Sequence, residues 1–107
     1  MVAGEWMTYW GFTNVAVTPV GADGGVDVFS DEAVAQVKAE TVPTGRPKLQ
    51  QHHGVATAHA KAPLFFSLAG YTQQALDYAQ DNEIALFTFD LQGEPEPANA
   101  AAHALTA

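Results

Sequence analysis

The chain of 107 residues contains no cysteine, which excludes disulfide bonds and zinc sites built on thiolates. It has no apolar run long enough to span a membrane, and its start lacks the basic-then-apolar pattern of a secretory signal. The length and the 48% apolar content fit one compact domain with a modest core. We therefore expect a single cytoplasmic domain over residues 1–107, with no membrane partner.

Basic residues are also scarce, because only four Lys and Arg stand against twelve Asp and Glu, for a net charge of −8. Such a balance argues against tight non-specific binding of nucleic acid. All four cations nevertheless fall within one central segment, at Lys38, Arg46, Lys48 and Lys61. This placement is compatible with a single positive face and equally with ordinary scatter over a solvated surface.

The hydrophobic pattern predicts helices and strands in the order α-β-β-β-α-β-α-β. The predicted elements are a helix at 1–10, strands at 13–20, 25–30 and 33–39, a helix at 47–60, a strand at 63–70, a helix at 72–82 and a strand at 83–90. A strand, a helix and a strand at this spacing favour a right-handed crossover with parallel pairing, after an antiparallel start. Turn residues at 21–24 lead into the second strand. Residues 92–107 are expected to form a polar, weakly structured tail, in which residues 100–107 add a weak helix.

Polar residues occupy alternate positions in the predicted hairpin at 25–39. Gln36 and Lys38 are two residues apart on one strand and so point to the same face, and Asp27 can face them from the preceding strand. An exposed ion pair of Asp27 with Lys38 would explain part of this pattern, although such a pair contributes only about 0–1 kcal/mol. It does not explain why both strands are otherwise so apolar, or why two glycines precede the aspartate.

The stretch DGGVDV…VAQVK resembles the active-site signature of Mrr-like restriction endonucleases, a branch of the PD-(D/E)xK nuclease superfamily. In that branch a glutamine replaces the usual acid, which leaves Asp…Gln-x-Lys. Residues 11–18, the segment PKLQQHHG and the segment from PLFFSLAG to EIALF are similar to the family's neighbouring elements, so the resemblance covers most of residues 5–90. It implies an α/β, restriction-endonuclease-like fold with a central mixed sheet flanked by helices, and metal-dependent hydrolysis of DNA phosphodiester bonds.

The resemblance also implies a role for each residue of the signature. Asp27 is expected to bind a divalent ion, Mg²⁺ or Mn²⁺, and Gln36 and the backbone carbonyl of Val37 are expected to add neutral oxygens. Lys38 is expected to position the attacking water and to offset charge on the phosphate. Mg²⁺ prefers hard oxygen ligands and activates water for hydrolysis, so this chemistry is consistent with the residue types.

Five further residues are candidates for the site. Glu5 is the one candidate for the acid that the family often carries in its first helix, and Gln50 is either a glutamine beside the active site or a plain surface amide. Arg46, Lys48 and Lys61 are expected at its rim, in contact with DNA. Because cutting both strands of a duplex commonly takes two such sites, we expect a homodimer or a partner subunit.

Two other interpretations remain open at this level. The chain could be a catalytically inactive copy of the fold that acts as a binding or assembly module, or an unrelated small α/β domain whose Asp–Lys pair is structural. Other chemistry is not favoured: the histidines of 47–60 lack the spacing of a metal site, and Ser67 lies in no GxSxG motif.

Overall fold

The computed structural model describes residues 3–20, 25–90, 92 and 94–106, so the turn expected at 21–24 lies outside the described residues. The elements along the chain are α1 (Ala3–Tyr9), β1 (Ala16–Val20), β2 (Gly25–Phe29), β3 (Ala33–Lys38), α2 (Arg46–Ala58), β4 (Ala62–Ser67), α3 (Gln73–Asp81), β5 (Ala85–Phe89), β6 (Pro95–Pro97) and α4 (Ala100–Thr106). The predicted order from α1 to β5 is confirmed.

The strands form one six-stranded sheet in the order β1-β2-β3-β4-β5-β6. The pairs β1–β2 and β2–β3 are antiparallel, whereas β3–β4 and β4–β5 are parallel. The predicted antiparallel start and parallel crossovers are therefore confirmed. Strand β6 adds an antiparallel edge that the sequence pattern does not indicate, and both edge strands, β1 and β6, contain proline.

Alternate residues of the strands build two separate cores, one on each face of the sheet. One face packs against α1 and α4, and its core includes Met7 and Ala102 together with the strand residues Val28, Val37 and Phe87. The other face packs against α2 and α3. Its core consists of Leu49, Phe65, Ala75, Ala79, Ile84 and Leu86. The helices therefore cover both faces, and the described residues form an α/β sandwich.

The aromatic residues near the amino terminus belong mainly to the first of these cores. Trp10 stacks on Phe87, with ring centroids 5.0 Å apart, and lies parallel to Phe66 at 6.3 Å. Trp6 and Phe12 are partly buried. Packing therefore accounts for these rings.

The end of the chain is fixed by one side chain, Asn99. Its Oδ1 accepts from the backbone N–H of Leu86 at 3.1 Å and of Ala102 at 3.0 Å, and its Nδ2 donates to the carbonyl of Ile84 at 2.7 Å. Asn99 thus caps α4 and ties it to β5 at once. In place of the expected weakly structured tail, the described residues after 94 form β6 and α4.

We expect Asn99→Ala to lower the free energy of unfolding by about 2 kcal/mol, because it leaves partly buried backbone groups of Ile84 and Leu86 without their partner. Urea denaturation measures this loss. Asn99→Asp keeps the acceptor for Leu86 and Ala102 but sets a carboxylate oxygen in place of the donor to the carbonyl of Ile84, so it should restore the stability only in part. Equal stability of the alanine variant and the wild type would contradict the role of Asn99.

None of the helices in the described parts of the chain is long and apolar enough to cross a membrane.

Candidate active site

The β2–β3 hairpin places Asp27 directly opposite Gln36. At the end of the hairpin the N–H of Ser30 donates to the carbonyl of Ala33, at 2.9 Å. Hydrogen-bonded pairs alternate with non-hydrogen-bonded pairs along an antiparallel ladder, so Asp27 and Gln36 form a non-hydrogen-bonded pair. Side chains approach most closely at such pairs, where the Cα atoms lie about 4.5 Å apart. The hairpin therefore brings the carboxylate and the amide together.

The turn that sets this register is held by side chains. The Oγ of Ser30 accepts from the N–H of Ala33 at 3.0 Å, and the Nζ of Lys61 donates to the carbonyls of Ser30 and Asp31. Lys61 therefore lies beside the turn, at the start of β3, whereas Lys38 is the last residue of that strand. Because β3 spans six residues, the structure does not bring Lys61 to the rim of a site at Lys38.

Helix α2 presents one face to the hairpin. Lys48, Gln51, His52 and Val55 follow the spacing i, i+3, i+4, i+7, which places them on the same side of a helix. Together with the hairpin residues they enclose a cavity of about 180 Å³. The residues that line it are Asp27, Gln36, Lys38, Lys48, Gln51, His52 and Val55. The structure thus brings the three signature residues into one cavity.

The polar side chains of the hairpin are buried to different degrees. The Oδ1 atom of Asp27 is buried, and the side chain of Lys38 is only 3% exposed, whereas that of Gln36 is half-buried. Lys38 faces Ser67 across the parallel pair β3–β4. Burial of a carboxylate and an ammonium group is costly unless each has a partner, so their presence in one small cavity is a functional signal.

His52 forms the wall of the cavity beside β3. Its Nε2 lies 3.0 Å from the carbonyl of Val34, which can only accept, so Nε2 carries a proton. Its ring packs edge-on against Phe65, with centroids 5.8 Å apart. Burial lowers the pKa of His52 below its ordinary value, and the hydrogen bond to Val34 and the charge of Asp27 only partly oppose this shift. The imidazole is therefore neutral at pH 7.

The lowered pKa of His52 predicts a loss of stability in mild acid. As the pH falls from about 6.5 to 5, the unfolded chain binds a proton at this histidine that the folded chain binds more weakly, so the free energy of unfolding decreases. His52→Gln should flatten this part of the profile, as followed by urea denaturation at several pH values. The exposed His59 gives the control His59→Gln, which should leave the slope in place. A slope that is the same in both variants would contradict the assignment.

Besides Lys61, three expected site residues lie outside the cavity. Glu5 is exposed on α1, which packs on the face of the sheet opposite to Asp27. Gln50 and Arg46 are exposed on α2 and do not line the cavity, in which Gln51 takes the place expected for Gln50. The position around the helix is the signal that identifies Gln51. Gln51 comes three residues after Lys48 and so shares its face of the helix, whereas Gln50 comes only two residues after Lys48 and does not.

The donor set suits a hard divalent cation. Asp27 lines the cavity and has one buried carboxylate oxygen, and Gln36, whose amide carries an oxygen, is its cross-strand neighbour. Val37 follows Gln36, and its carbonyl faces β2, because Val37 belongs to a hydrogen-bonded pair of the ladder. The described residues contain no group of three or more His, Cys, Asp or Glu that could hold a metal ion. A site here would thus rest on one carboxylate and neutral oxygens.

The mixed sheet with helices on both faces is a restriction-endonuclease-like fold. A protein-family model described as restriction endonuclease (Mrr_cat) matches residues 2–91. The chain belongs to this family, and the resemblance seen in the sequence is confirmed. Restriction endonucleases of this family generally use a divalent metal ion, and their substrate is DNA. Comparison with curated proteins found no match, and comparison with solved structures found none either.

Proposed function

We propose that this chain is a metal-dependent DNA endonuclease that hydrolyses phosphodiester bonds, of the Mrr-like restriction type. One observation carries the proposal: Asp27, Gln36 and Lys38 line a single cavity in a chain of the restriction endonuclease family. An exposed structural ion pair would leave these groups in solvent, whereas Lys38 and an oxygen of Asp27 are buried.

Asp27 and Gln36 would hold the metal ion, with the carbonyl of Val37 as a third oxygen donor. When bound, Mg²⁺ or Mn²⁺ supplies a Lewis acid for the phosphate and lowers the pKa of water. Asp27 contributes the negative charge that attracts the ion. Gln36 contributes an oxygen without a second charge, so the ion keeps more of its positive charge for the phosphate.

Lys38 would act on the reacting groups themselves. Its ammonium group lies in the same cavity as Asp27 and is almost fully buried, so its charge is weakly screened by solvent. We infer that it holds the attacking water by a hydrogen bond and offsets the negative charge that develops on the phosphate. In this role Lys38 is a catalytic residue, and Asp27 is the metal-binding residue.

So acidic a chain has few cations with which to bind DNA. Lys48 lines the cavity and Arg46 is exposed at the start of α2, so both would contact phosphates of the bound strand. Each phosphate contact adds about −0.9 to the slope of log affinity against log salt for duplex DNA, so a chain with four cations has a shallow slope and weak binding. We therefore propose that a second copy or a partner subunit contributes to cleavage of both strands.

A plasmid assay tests the proposal. Supercoiled plasmid and a single-stranded oligonucleotide are incubated with the chain in Mn²⁺, in Mg²⁺ and in EDTA. We expect nicking or linearisation that requires the metal ion and is absent in EDTA. Binding of Mn²⁺ and DNA without any cleavage would favour the inactive binding module instead, and cleavage that persists in EDTA would refute the metal-dependent mechanism.

A further inference from the structure

A second cavity, the α3–α4 cavity, lies between α3 and the start of α4. Its volume is about 620 Å³, within the roughly 300–1,000 Å³ of pockets that bind ligands, and it shares none of its described lining residues with the active-site cavity. Alanine side chains are too short to fill the space between the two helices, so the cavity can admit an apolar group of another molecule. Its apolar lining consists of Leu76, Ala79, Ala98, Ala100 and Ala101.

Two polar side chains of this cavity are exposed where a ligand can reach them. Asn99 also lines the cavity, but its amide is used in hydrogen bonds to the backbone of β5 and α4. Gln80 and Glu83 are exposed and come from one face of α3 and its end. The α3–α4 cavity therefore combines an apolar interior with a negative charge at its opening.

Glu83 has a backbone conformation that glycine adopts more readily. Its φ is 55°, in the left-handed region, and it directly follows Asn82, which caps α3. Glycine is the usual residue at this position after a helix, because a side chain there adds strain. Strained residues of this kind concentrate at functional sites. A carboxylate placed at the opening of a cavity gives such a residue a function.

The cavity belongs to a part of the chain that is purely acidic. Residues 62–107 contain six acids and none of the four Lys and Arg. A surface with one sign of charge attracts partners of the opposite sign and repels nucleic acid and anionic membranes. The six acids are all exposed: Asp77, Asp81, Glu83, Asp90, Glu94 and Glu96.

A second copy of the chain cannot easily supply the complementary charge. Lys38 is buried, and the Nζ of Lys61 donates to two backbone carbonyls of its own chain. Arg46 and Lys48 belong to the first turn of α2 at the active site, so docking through them would cover that site. The partner that fits this surface is therefore a different and basic protein.

We propose that the α3–α4 cavity is the docking site for a basic segment of a partner protein. An apolar side chain of that segment enters the cavity beside Leu76, and Lys or Arg residues on either side of it pair with Glu83 and the neighbouring acids. Strands β3 and β5 are both parallel to β4, so Lys38 at the end of β3 and Glu83 before the start of β5 lie at opposite ends of the sheet. A partner bound here leaves the active site open to DNA.

The test uses a short synthetic peptide with one leucine between lysines, titrated into the isotope-labelled chain in EDTA without DNA. We expect saturable shifts of the backbone amide signals of residues 76–83 and 98–101 in NMR spectra. A peptide with serine in place of the leucine should bind at least about tenfold more weakly, because it has no apolar side chain to bury. A peptide with glutamates in place of the lysines should not bind.

Glu83 can be tested apart from the fold. Glu83→Gln should weaken binding of the leucine–lysine peptide about threefold at low salt, and the difference from the wild type should disappear at high salt. Glu94→Gln removes the same charge from the same acidic part outside the cavity, so it should bind like the wild type. Glu83→Gly should weaken binding as Glu83→Gln does, but unfold at the same or a higher temperature.

Filling the cavity tests its interior. Ala100 is exposed and lines the cavity, so Ala100→Phe should weaken binding of the peptide at least about tenfold. Ala104 is exposed on the same helix outside the cavity, and Ala104→Phe should have no effect. Equal losses in Ala100→Phe and Ala104→Phe would overturn the site.

Three other results would also refute this inference. The first is the absence of any saturable shift with the leucine–lysine peptide. The second is equal binding of the peptide that carries glutamates, which would mean that charge has no part in recognition. The third is a shift of the same signals with chain concentration alone, which would assign the surface to a second copy. None of these results bears on the plasmid assay, so the nuclease proposal and the docking site stand or fall separately.

Discussion

Asp27→Asn is expected to abolish Mn²⁺ binding and to reduce DNA cleavage at least about 100-fold, since even residues that only orient metal ligands are worth about 10–100-fold. Among the described residues, Asp27 is the one acid that lines the active-site cavity, and its Oδ1 atom is buried. The amide of asparagine has nearly the same shape but no charge, so the chain should still fold. Calorimetric titration with Mn²⁺ and the plasmid assay measure the two losses, and thermal unfolding verifies the fold.

A matched control is available on α3. Asp77 is exposed, accepts a hydrogen bond from Gln73 and does not line the active-site cavity, so Asp77→Asn removes the same charge elsewhere in the chain. This variant should bind Mn²⁺ and cleave DNA like the wild type. If Asp27→Asn keeps its cleavage activity, the chemistry lies elsewhere in the chain and both the metal site and the catalytic assignment are wrong.

Lys38→Met is expected to separate metal binding from catalysis. Methionine fills the space of the buried lysine stem without the ammonium group, so cleavage should fall at least about 100-fold, as for loss of a group that stabilises transition-state charge. Mn²⁺ should bind at least as tightly as before, because a positive charge beside the ion has been removed. Single-turnover cleavage and calorimetric titration give the two values independently.

Lys38→Arg is the informative companion of this variant. The guanidinium group keeps the charge, but it is planar and wider than an ammonium group, and the site around Lys38 is nearly closed to solvent. We therefore expect it to restore little cleavage. Loss of Mn²⁺ binding in Lys38→Met, in parallel with loss of cleavage, would show instead that Lys38 only supports the local structure.

The sequence predicts that these three residues come together because they lie on one hairpin. Alternation along a strand has a period of two, so Gln36 and Lys38 share a face whatever the rest of the fold does. The position of Asp27 opposite them requires only the correct register, which the short turn at Ser30 enforces. Local rules were therefore sufficient to bring these three residues together.

Residues supplied by helices were harder to place. Gln50 and Gln51 differ by about 100° around α2, and helical phase relates Gln51 to Lys48 without indicating which face of the helix is turned to the sheet. The answer depends on the packing of Leu49 and His52 against Phe65, a tertiary contact. Glu5 presents the same difficulty, because its distance from Asp27 depends on which face of the sheet receives α1.

Strand β6 was missed for a different reason. The run Pro95–Pro97 has only three residues and no β-forming residue, so nothing local indicates a strand. It pairs with β5 because Asn99 fixes the following residues to Ile84 and Leu86. That anchor joins residues 13 and 15 positions apart, and such non-local contacts are invisible to pattern analysis.

The prolines of the edge strands also hinder the pairing of a further strand with either edge of the sheet. The N–H of Ala98 points inward and donates to the carbonyl of Leu86, at 2.8 Å. Alternate residues of an antiparallel strand direct their N–H groups to opposite sides, so Pro95 and Pro97 occupy the outward positions, where an ordinary residue would offer a donor.

The other edge follows the same rule. The backbone N–H of Ser30 faces β3, so the backbone N–H of Asp27 faces β1, where Asp27 pairs with Thr18. The backbone nitrogen of Pro19, the next residue of β1, therefore points outward from the sheet edge. Neither edge can then offer an uninterrupted ladder to a strand from another chain, the arrangement through which exposed edges seed aggregates. If two copies of the chain assemble, we expect them to meet through helices or loops, so that each keeps its own sheet.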